Sequence, residues 1–108
     1  MNKYKLFDKI KIKNTELSNR IVVSPMCQYS AINGLMNSWH FQHLCQFSFS
    51  GAGLVMIEST AVEDLGRITH NCLGIYNNDC LSSIKNIIRW GQVVLTHYLW
   101  TRQTQVPP

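Results

Sequence analysis

Four side chains with reactive or adaptable groups lie close together in this sequence: a hydroxyl at Ser24, a thioether at Met26, a thiol at Cys27 and a phenol at Tyr29. They follow a short apolar run, residues 21–24, which predicts a buried strand. Pro25 ends this strand because proline lacks an amide donor and fixes φ. Since α/β proteins bind ligands beyond the carboxyl ends of their strands, residues 24–29 are the candidate site.

The elements that hold this site are predicted to alternate between strand and helix. Upstream, apolar residues on either side of the turn-prone stretch 13–16 predict a small β-hairpin with its lysines facing water. Downstream, Asn37 or Ser38 can cap a helix that runs through residues 39–50 and ends at Gly51.

A second apolar run, residues 54–62, has the β-branched composition and the shortness of a buried parallel strand. A long polar loop is predicted over residues 63–74. Asn77 or Asn78 can then cap a second helix. Its apolar residues recur at helical spacing: Leu81, Ile84, Ile87 and Ile88. This βαβα order implies a parallel sheet covered by helices.

The handedness of the crossover predicts where the candidate site lies. A right-handed connection through the first helix would place residues 21–24 and 54–57 side by side as parallel strands. The loops at residues 24–27 and 58–60 would then be grouped at the same end of the sheet.

Composition limits the class of protein. The 108 residues are 45% hydrophobic and carry 10 Lys+Arg against 6 Asp+Glu, which is typical of a globular domain and argues against disorder. The basic residues are scattered apart from a cluster between Lys3 and Lys13, so we expect no nucleic-acid partner. The amino terminus has no apolar segment, so we expect neither export nor a membrane partner.

The cysteines and histidines allow both structural and chemical interpretations. The four cysteines form no CxxC pair, which favours reduced thiols of a cytoplasmic protein. His40 and His43 form an HxxH pair, but zinc needs three or four ligands, so we favour core or capping histidines at roughly four to one and expect no metal. Arg67 could contact an anion or hydrogen-bond loop carbonyls. We favour the second role, because a long loop has many backbone groups to satisfy.

Three segments then occur in a specific order and spacing: NRIVVSPMCQYS from residue 19, WHFQH from residue 39 and GRIT from residue 66. With them, the stretch from about residue 6 to about residue 88 resembles the start of the Old Yellow Enzyme family of NADH:flavin oxidoreductases. More narrowly, it resembles the ene-reductase branch that has a cysteine beside the flavin. The resemblance covers most of this chain but only the opening part of a family member.

This resemblance implies an α/β fold class: the N-terminal fragment of a TIM (β/α)8 barrel, with an N-terminal β-hairpin and about two βα units. The family barrel holds FMN at the C-terminal mouth of its strands. FMN would be the cofactor, NAD(P)H the reductant, and an activated alkene or similar small molecule the substrate.

The resemblance also implies residue roles. The positions that would contact the flavin are Ser24, Pro25, Met26, Cys27 and Ser59. Cys27 would tune flavin redox behaviour, and Tyr29 would position the substrate. From composition alone, a buried Cys27 is favoured as a small core residue at roughly two to one, and the matched motif reverses that preference. Met26 is open to the same core interpretation.

The end of the chain departs from the family. Family members continue into a third strand reading roughly GIQLAHAGR, whereas this chain reads RWGQVVLTHYLWTRQTQVPP from Arg89. We predict residues 1–88 to be the N-terminal portion of an FMN-binding TIM barrel and residues 89–108 to be a divergent tail, which a frameshift would explain. Because a TIM barrel needs about 250 residues and eight strands, we expect the 108 residues to be inactive alone.

Other functions stay open from the sequence. Exposed strand edges would favour self-association or aggregation, and they would equally suit a small non-catalytic scaffold protein that docks on another chain. A basic nucleic-acid binder that uses the cluster between Lys3 and Lys13 is a third interpretation. The natural substrate and the choice between NADH and NADPH do not follow from the sequence.

Overall fold

The computed structural model describes residues 5–88, 93–94 and 97–98. It begins with the predicted β-hairpin, in which β1 (Ile10–Ile12) pairs antiparallel with β2 (Thr15–Leu17). Lys13 adopts a positive φ of 53° in the turn, and Leu17 is the buried residue of the pair. The lysines of the hairpin are exposed, as predicted.

Parallel strands form the body of the structure. β3 (Val22–Val23) pairs with β4 (Leu54–Met56), with Val22 opposite Leu54. β5 (Thr60–Ala61) follows β4 closely and pairs in parallel with β6 (Leu73–Gly74). Each pair contains one strand from either side of a crossover, so the predicted α/β class and the parallel pairing are confirmed.

One helix connects β3 to β4, and a second helix follows β6 and precedes the tail. α1 (Ser38–Phe49) begins at the N-cap Asn37, whose side chain accepts from the Trp39 amide. It ends before Gly51, which takes a φ of +92° that a glycine adopts without strain. α2 (Asn78–Ile88) is capped by Asn77, whose side-chain oxygen accepts from the Cys80 amide at 2.8 Å. Both helices therefore start, and α1 ends, where the sequence predicts.

The tail contributes backbone to both sheets. β7 (Val93–Val94) pairs in parallel with β4, which gives the order β3-β4-β7. β8 (His97–Tyr98) pairs in parallel with β5, which gives the order β6-β5-β8. The other tail positions lie outside the described residues, and the interpretation of residues 89–108 as a divergent tail stays a prediction.

The core lies between the parallel strands and the inner faces of the two helices. Its buried residues come from the strands, the helices and the segments that connect them: Ala31, Met36, Leu44, Val55, Ile57, Leu73, Ile84 and Ile87. Burial of these apolar side chains is the main stabilising term, at about 25 cal/mol per Å² removed from water. In the described part of the chain, no helix is long and apolar enough to cross a membrane.

Three details of the sequence prediction were wrong. The strand at residues 21–24 was expected to be buried, but Val22 is 48% exposed, because Val23 and not Val22 packs against the core; among the described residues β3 is also the edge of its sheet. The run 54–62 is two short strands rather than one. The stretch 63–74 is not all loop, since it contains a 3-10 helix (Asp64–Gly66) and β6.

A side chain before β3 sets the position of that strand. The Asn19 side-chain oxygen accepts from the Ile21 amide at 3.0 Å and from the Gly53 amide at 2.8 Å. Its side-chain nitrogen donates to the Gly51 carbonyl at 2.6 Å. Gly53 packs so closely that an added Cβ would lie 2.4 Å from the Asn19 carbonyl oxygen. Asn19 thus ties the start of β3 to the turn between α1 and β4.

Candidate functional site

The candidate site lies where β3 and β4 end. Residues 24–29 follow β3 and residues 57–59 follow β4, and the two segments meet because the strands are parallel and adjacent. The Ser59 amide donates a hydrogen bond to the Cys27 sulfur. The prediction that these loops are grouped at one end of the sheet is therefore confirmed.

The sequence-predicted residues divide into an exposed group and a contacting group. Ser24 and Pro25 are exposed, and Met26 is 42% exposed. Cys27 is half-buried and accepts a hydrogen bond from the Tyr29 hydroxyl as well as from Ser59. The structure thus brings Cys27, Tyr29 and Ser59 together and leaves the three residues before Cys27 facing outward.

Tyr29 stands at the outer rim of this group. Its side chain is 50% exposed, and its backbone has a φ of +51°, in the left-handed region that tyrosine seldom adopts. Such backbone geometry persists only where neighbouring contacts hold it. The rim of the site is therefore shaped by contacts that the sequence pattern does not reveal.

Burial and nearby charges set the pKa of the Cys27 thiol and of the Tyr29 phenol. Burial raises the pKa of the Cys27 thiol, the Ser59 amide opposes this, and the charges of Glu58 and Cys72 raise the pKa further. The Cys27 charge, with some burial, raises the pKa of the Tyr29 phenol. At neutral pH the site therefore presents a neutral thiol and a neutral phenol, which donate weak hydrogen bonds rather than attack as nucleophiles.

Glu58 is a site residue that the sequence analysis did not single out. Its side chain is only 6% exposed, and its carboxylate accepts from the Gln28 amide. Burial raises the pKa of Glu58 to about 7, and the Gln28 amide partly opposes this. The available signal was a single acidic residue inside the apolar run 54–62, where an unpaired charge would be unfavourable.

The HxxH histidines have structural positions. His40 is fully buried and completes the α1 capping box, since its Nδ1 accepts from the Asn37 amide at 3.2 Å. His43 lies between Trp39 and Phe47, stacked on the first ring and edge-on to the second. The core-or-capping interpretation is confirmed for His40, whereas His43 is partly buried in an aromatic cluster on α1 and caps no helix. Within the described residues no group of three or more His, Cys, Asp or Glu side chains could hold a metal ion.

Arg67 anchors the loop after β5. Its guanidinium donates to the carbonyls of Asp64 and His70, each at 3.0 Å, and forms an ion pair with the Asp64 carboxylate. It also lies 6.0 Å from the Tyr76 ring centre. The predicted loop-anchoring role is confirmed.

The buried carboxyl of Glu58 predicts an unusual pH dependence of stability. Its folded-state pKa of about 7 exceeds the ordinary 4.5, so the folded chain keeps a proton that the unfolded chain loses between these values. The free energy of unfolding should fall as pH rises through this window, by about 3 kcal/mol from this group. In Glu58→Gln this decrease in the free energy of unfolding should disappear. Urea denaturation of wild type and Glu58→Gln at pH 5 and pH 8 measures the difference.

A buried histidine beside Glu58 opposes this pH dependence. Burial lowers the pKa of His40 below 6.5, so His40 reduces the free energy of unfolding as pH falls, and Glu58→Gln also changes the group that lies 3.8 Å from the His40 ring. Glu16→Gln, which removes an exposed carboxylate on the hairpin, is the matched control. Equal pH dependence in wild type and Glu58→Gln would show that Glu58 titrates normally.

Comparison with known sequences decides the family. The sequence pattern of the NADH:flavin oxidoreductase / NADH oxidase family matches residues 5–90. The chain belongs to this family. The match includes both helices and every residue of the candidate site, so the family assignment and the site rest on the same segment.

Curated relatives support the same family assignment. The chain is 42% identical over 86 residues to an NADPH dehydrogenase of Listeria welshimeri, a match that covers 78% of this chain and 25% of the relative. It is 39% identical over 83 residues to an NADH:flavin oxidoreductase of Gibberella zeae, covering 77% of this chain and 20% of that protein. The chain thus spans about a quarter of the length of the curated relatives it matches.

Solved structures place the fold. Morphinone reductase in complex with tetrahydroNAD matches with a TM-score of 0.78 at 18% identity, over 85% of this chain and 26% of that one. A variant of NCR from Zymomonas mobilis matches with a TM-score of 0.75 at 19% identity, over 89% of this chain and 32% of that one. These family members are TIM barrels, so the chain has the fold of part of such a barrel.

Proposed function

We propose that the chain forms one wall of the flavin site in an FMN-dependent NAD(P)H oxidoreductase of the cysteine-containing ene-reductase branch. The observation that carries this proposal is the contact of Cys27 with Ser59, at the adjoining carboxyl ends of two parallel strands, in a chain of a flavin oxidoreductase family. Active sites of TIM barrels lie at this end of the strands.

The residues present suit one face of a planar cofactor. Met26 offers an exposed apolar side chain beside Ser24 and Pro25, and the small Ser59 leaves room next to Cys27. FMN, when bound, accepts and passes on the hydride. The Cys27 thiol would donate a weak hydrogen bond to the polar edge of the flavin and so tune it, and Tyr29 would position the substrate from the rim.

The proposed reaction is hydride transfer from NAD(P)H through FMN to an activated alkene or a similar small molecule. The Listeria relative is named an NADPH dehydrogenase, and the Gibberella relative an NADH:flavin oxidoreductase, so both nicotinamides occur in the family. We also propose a cytoplasmic location, which the free state of the four cysteines supports.

The 108-residue chain alone is expected to bind FMN no better than millimolar and to be inactive. Tight cofactor binding needs a pocket that encloses most of the ligand, and these residues supply one wall. Isothermal titration of the chain with FMN measures the affinity, with a whole Listeria relative titrated in parallel as the positive control. Micromolar binding by the 108 residues would contradict the proposal of a single wall.

We further propose that the 108-residue chain self-associates through the free edge of β3. Among the residues that the structure describes, no strand pairs with this edge, and Val22 is exposed there, so the edge can offer backbone groups to another strand. Val22→Lys should lower the average mass in analytical ultracentrifugation, because a charged edge residue opposes strand pairing. Ile68→Lys, which changes an exposed isoleucine in the Arg67 loop, is the control. Equal masses for wild type and Val22→Lys would exclude this edge.

A further inference from the structure

A buried acid and a buried histidine lie directly behind the candidate site. Glu58 and the fully buried His40 approach each other with 3.8 Å between Oε2 and Nε2. Burying two ionisable side chains is unfavourable unless each has a polar partner. The pair therefore differs from the other buried residues that the structure describes, which are apolar or, like Ser59 and Thr60, carry only a hydroxyl.

The capping interaction orients His40 toward Glu58. Nδ1 lies 3.2 Å from both the amide nitrogen and the side-chain oxygen of Asn37; because the amide can only donate, we assign Nδ1 as its acceptor, which places the proton of the neutral ring on Nε2. Nε2 is buried and has no hydrogen-bond partner among the residues that the structure describes. Its N–H is thus a donor left for the Glu58 carboxyl.

On its other side, Glu58 reaches the loop that carries the site. Its carboxylate accepts from the Gln28 amide, between Cys27 and Tyr29 in the sequence. The next residue, Ser59, donates its amide to the Cys27 sulfur. Two consecutive residues after β4 therefore hold two consecutive residues after β3, next to the positive φ of Tyr29.

We propose that Glu58 is a positioning residue that holds Cys27 and Tyr29 in place through the Gln28 amide, with His40 fixing the Glu58 carboxyl from behind. The inference deepens the proposed function, because it concerns the loop that would face the flavin. Its test uses no flavin, so its failure is separate from failure of the proposed function.

The test is the pH–rate profile of Cys27 alkylation in the full chain, followed by mass spectrometry of the peptides. The midpoint of the profile reports the thiol pKa, and the high-pH plateau reports how often the loop opens. Glu58→Ala removes both the charge and the acceptor. Glu58→Gln removes the charge but keeps an oxygen that can accept from the Gln28 amide. Glu16→Gln is the control for loss of a distant carboxylate.

Glu58→Ala should raise the high-pH plateau of the Cys27 alkylation rate about tenfold, because a buried hydrogen bond to a charged group is lost. Glu58→Gln should restore the wild-type plateau while its midpoint shifts to lower pH, since the Glu58 charge raises the thiol pKa. Tyr29 and Cys72, which also face the thiol, are present in every variant. A plateau that rises equally in both variants would overturn the proposal, as would an unchanged plateau in Glu58→Ala.

The buried thiols of Cys45 and Cys80 report general unfolding in the same experiment. They should keep their wild-type rates in Glu58→Ala. Faster alkylation of all the cysteines would mean that Glu58 only supports the core, and would overturn the proposal. His40→Phe, which fills the space without an Nε2 donor, should raise the Cys27 plateau about threefold. No rise in that variant would overturn the role of His40.

Discussion

Joining residues 1–88 to the remainder of a related family barrel is expected to improve FMN affinity at least about a thousandfold over the 108 residues alone. The added strands and loops would enclose the cofactor, for which this chain is proposed to supply one wall. The phosphate site of TIM barrels also comes from loops late in the barrel, which the chimera supplies. Isothermal titration and the flavin absorbance of the purified protein measure the gain.

Alkylation of Cys27 provides an independent measure of flavin binding in the same chimera. Without flavin it should be alkylated well before Cys45, because Cys27 is half-buried and Cys45 is buried against the core. Bound flavin should cover the loop and slow Cys27 alone. If FMN binds but Cys27 reacts equally fast with and without it, the thiol does not face the flavin, and its redox-tuning role is wrong.

Replacing Ile57 by alanine is expected to reduce the free energy of unfolding by about 2–5 kcal/mol. The Ile57 side chain is fully buried in the core cluster, just after β4. Its truncation removes apolar contacts and leaves a cavity that β4 and the helices fill only in part. Urea denaturation followed by circular dichroism measures the change.

The matched control for this substitution is Ile68→Ala, since Ile68 is half-exposed in the loop that Arg67 anchors. It should change the free energy of unfolding by no more than about 0.5 kcal/mol. Similar losses in the two variants would mean that Ile57 does not belong to a close-packed core, and that the segment after β4 is held mainly by its polar contacts.

The sequence predicted the elements because local signals were strong. Asn37 and Asn77 cap the helices that they were expected to start, and Gly51 lies just beyond the end of the first. The two apolar runs predicted the parallel pair of β3 and β4, because handedness leaves one arrangement for a strand, a helix and a strand. The grouping of Cys27 with Ser59 followed from that topology.

The unpredicted features depend on neighbours that are distant in sequence. Val22 was expected to be buried, but the exposure of a strand residue depends on what packs against its face of the sheet, and an unbroken apolar run carries no such information. β6 is only two residues long and forms because β5 offers it a partner. The contact of Glu58 with Gln28 joins two loops across a crossover, so spacing along the chain gave no sign of it.

The Asn19 side chain has a consequence for the order of assembly during synthesis. It bonds to the start of β3 and to the turn before β4, so its partners all lie within the first 53 residues. Proteins are made from the amino terminus at about 5–20 residues per second, and early segments can order before later ones exist. The contacts that help align the two loops of the candidate site are thus synthesised early, before the strands that would close a barrel around these loops.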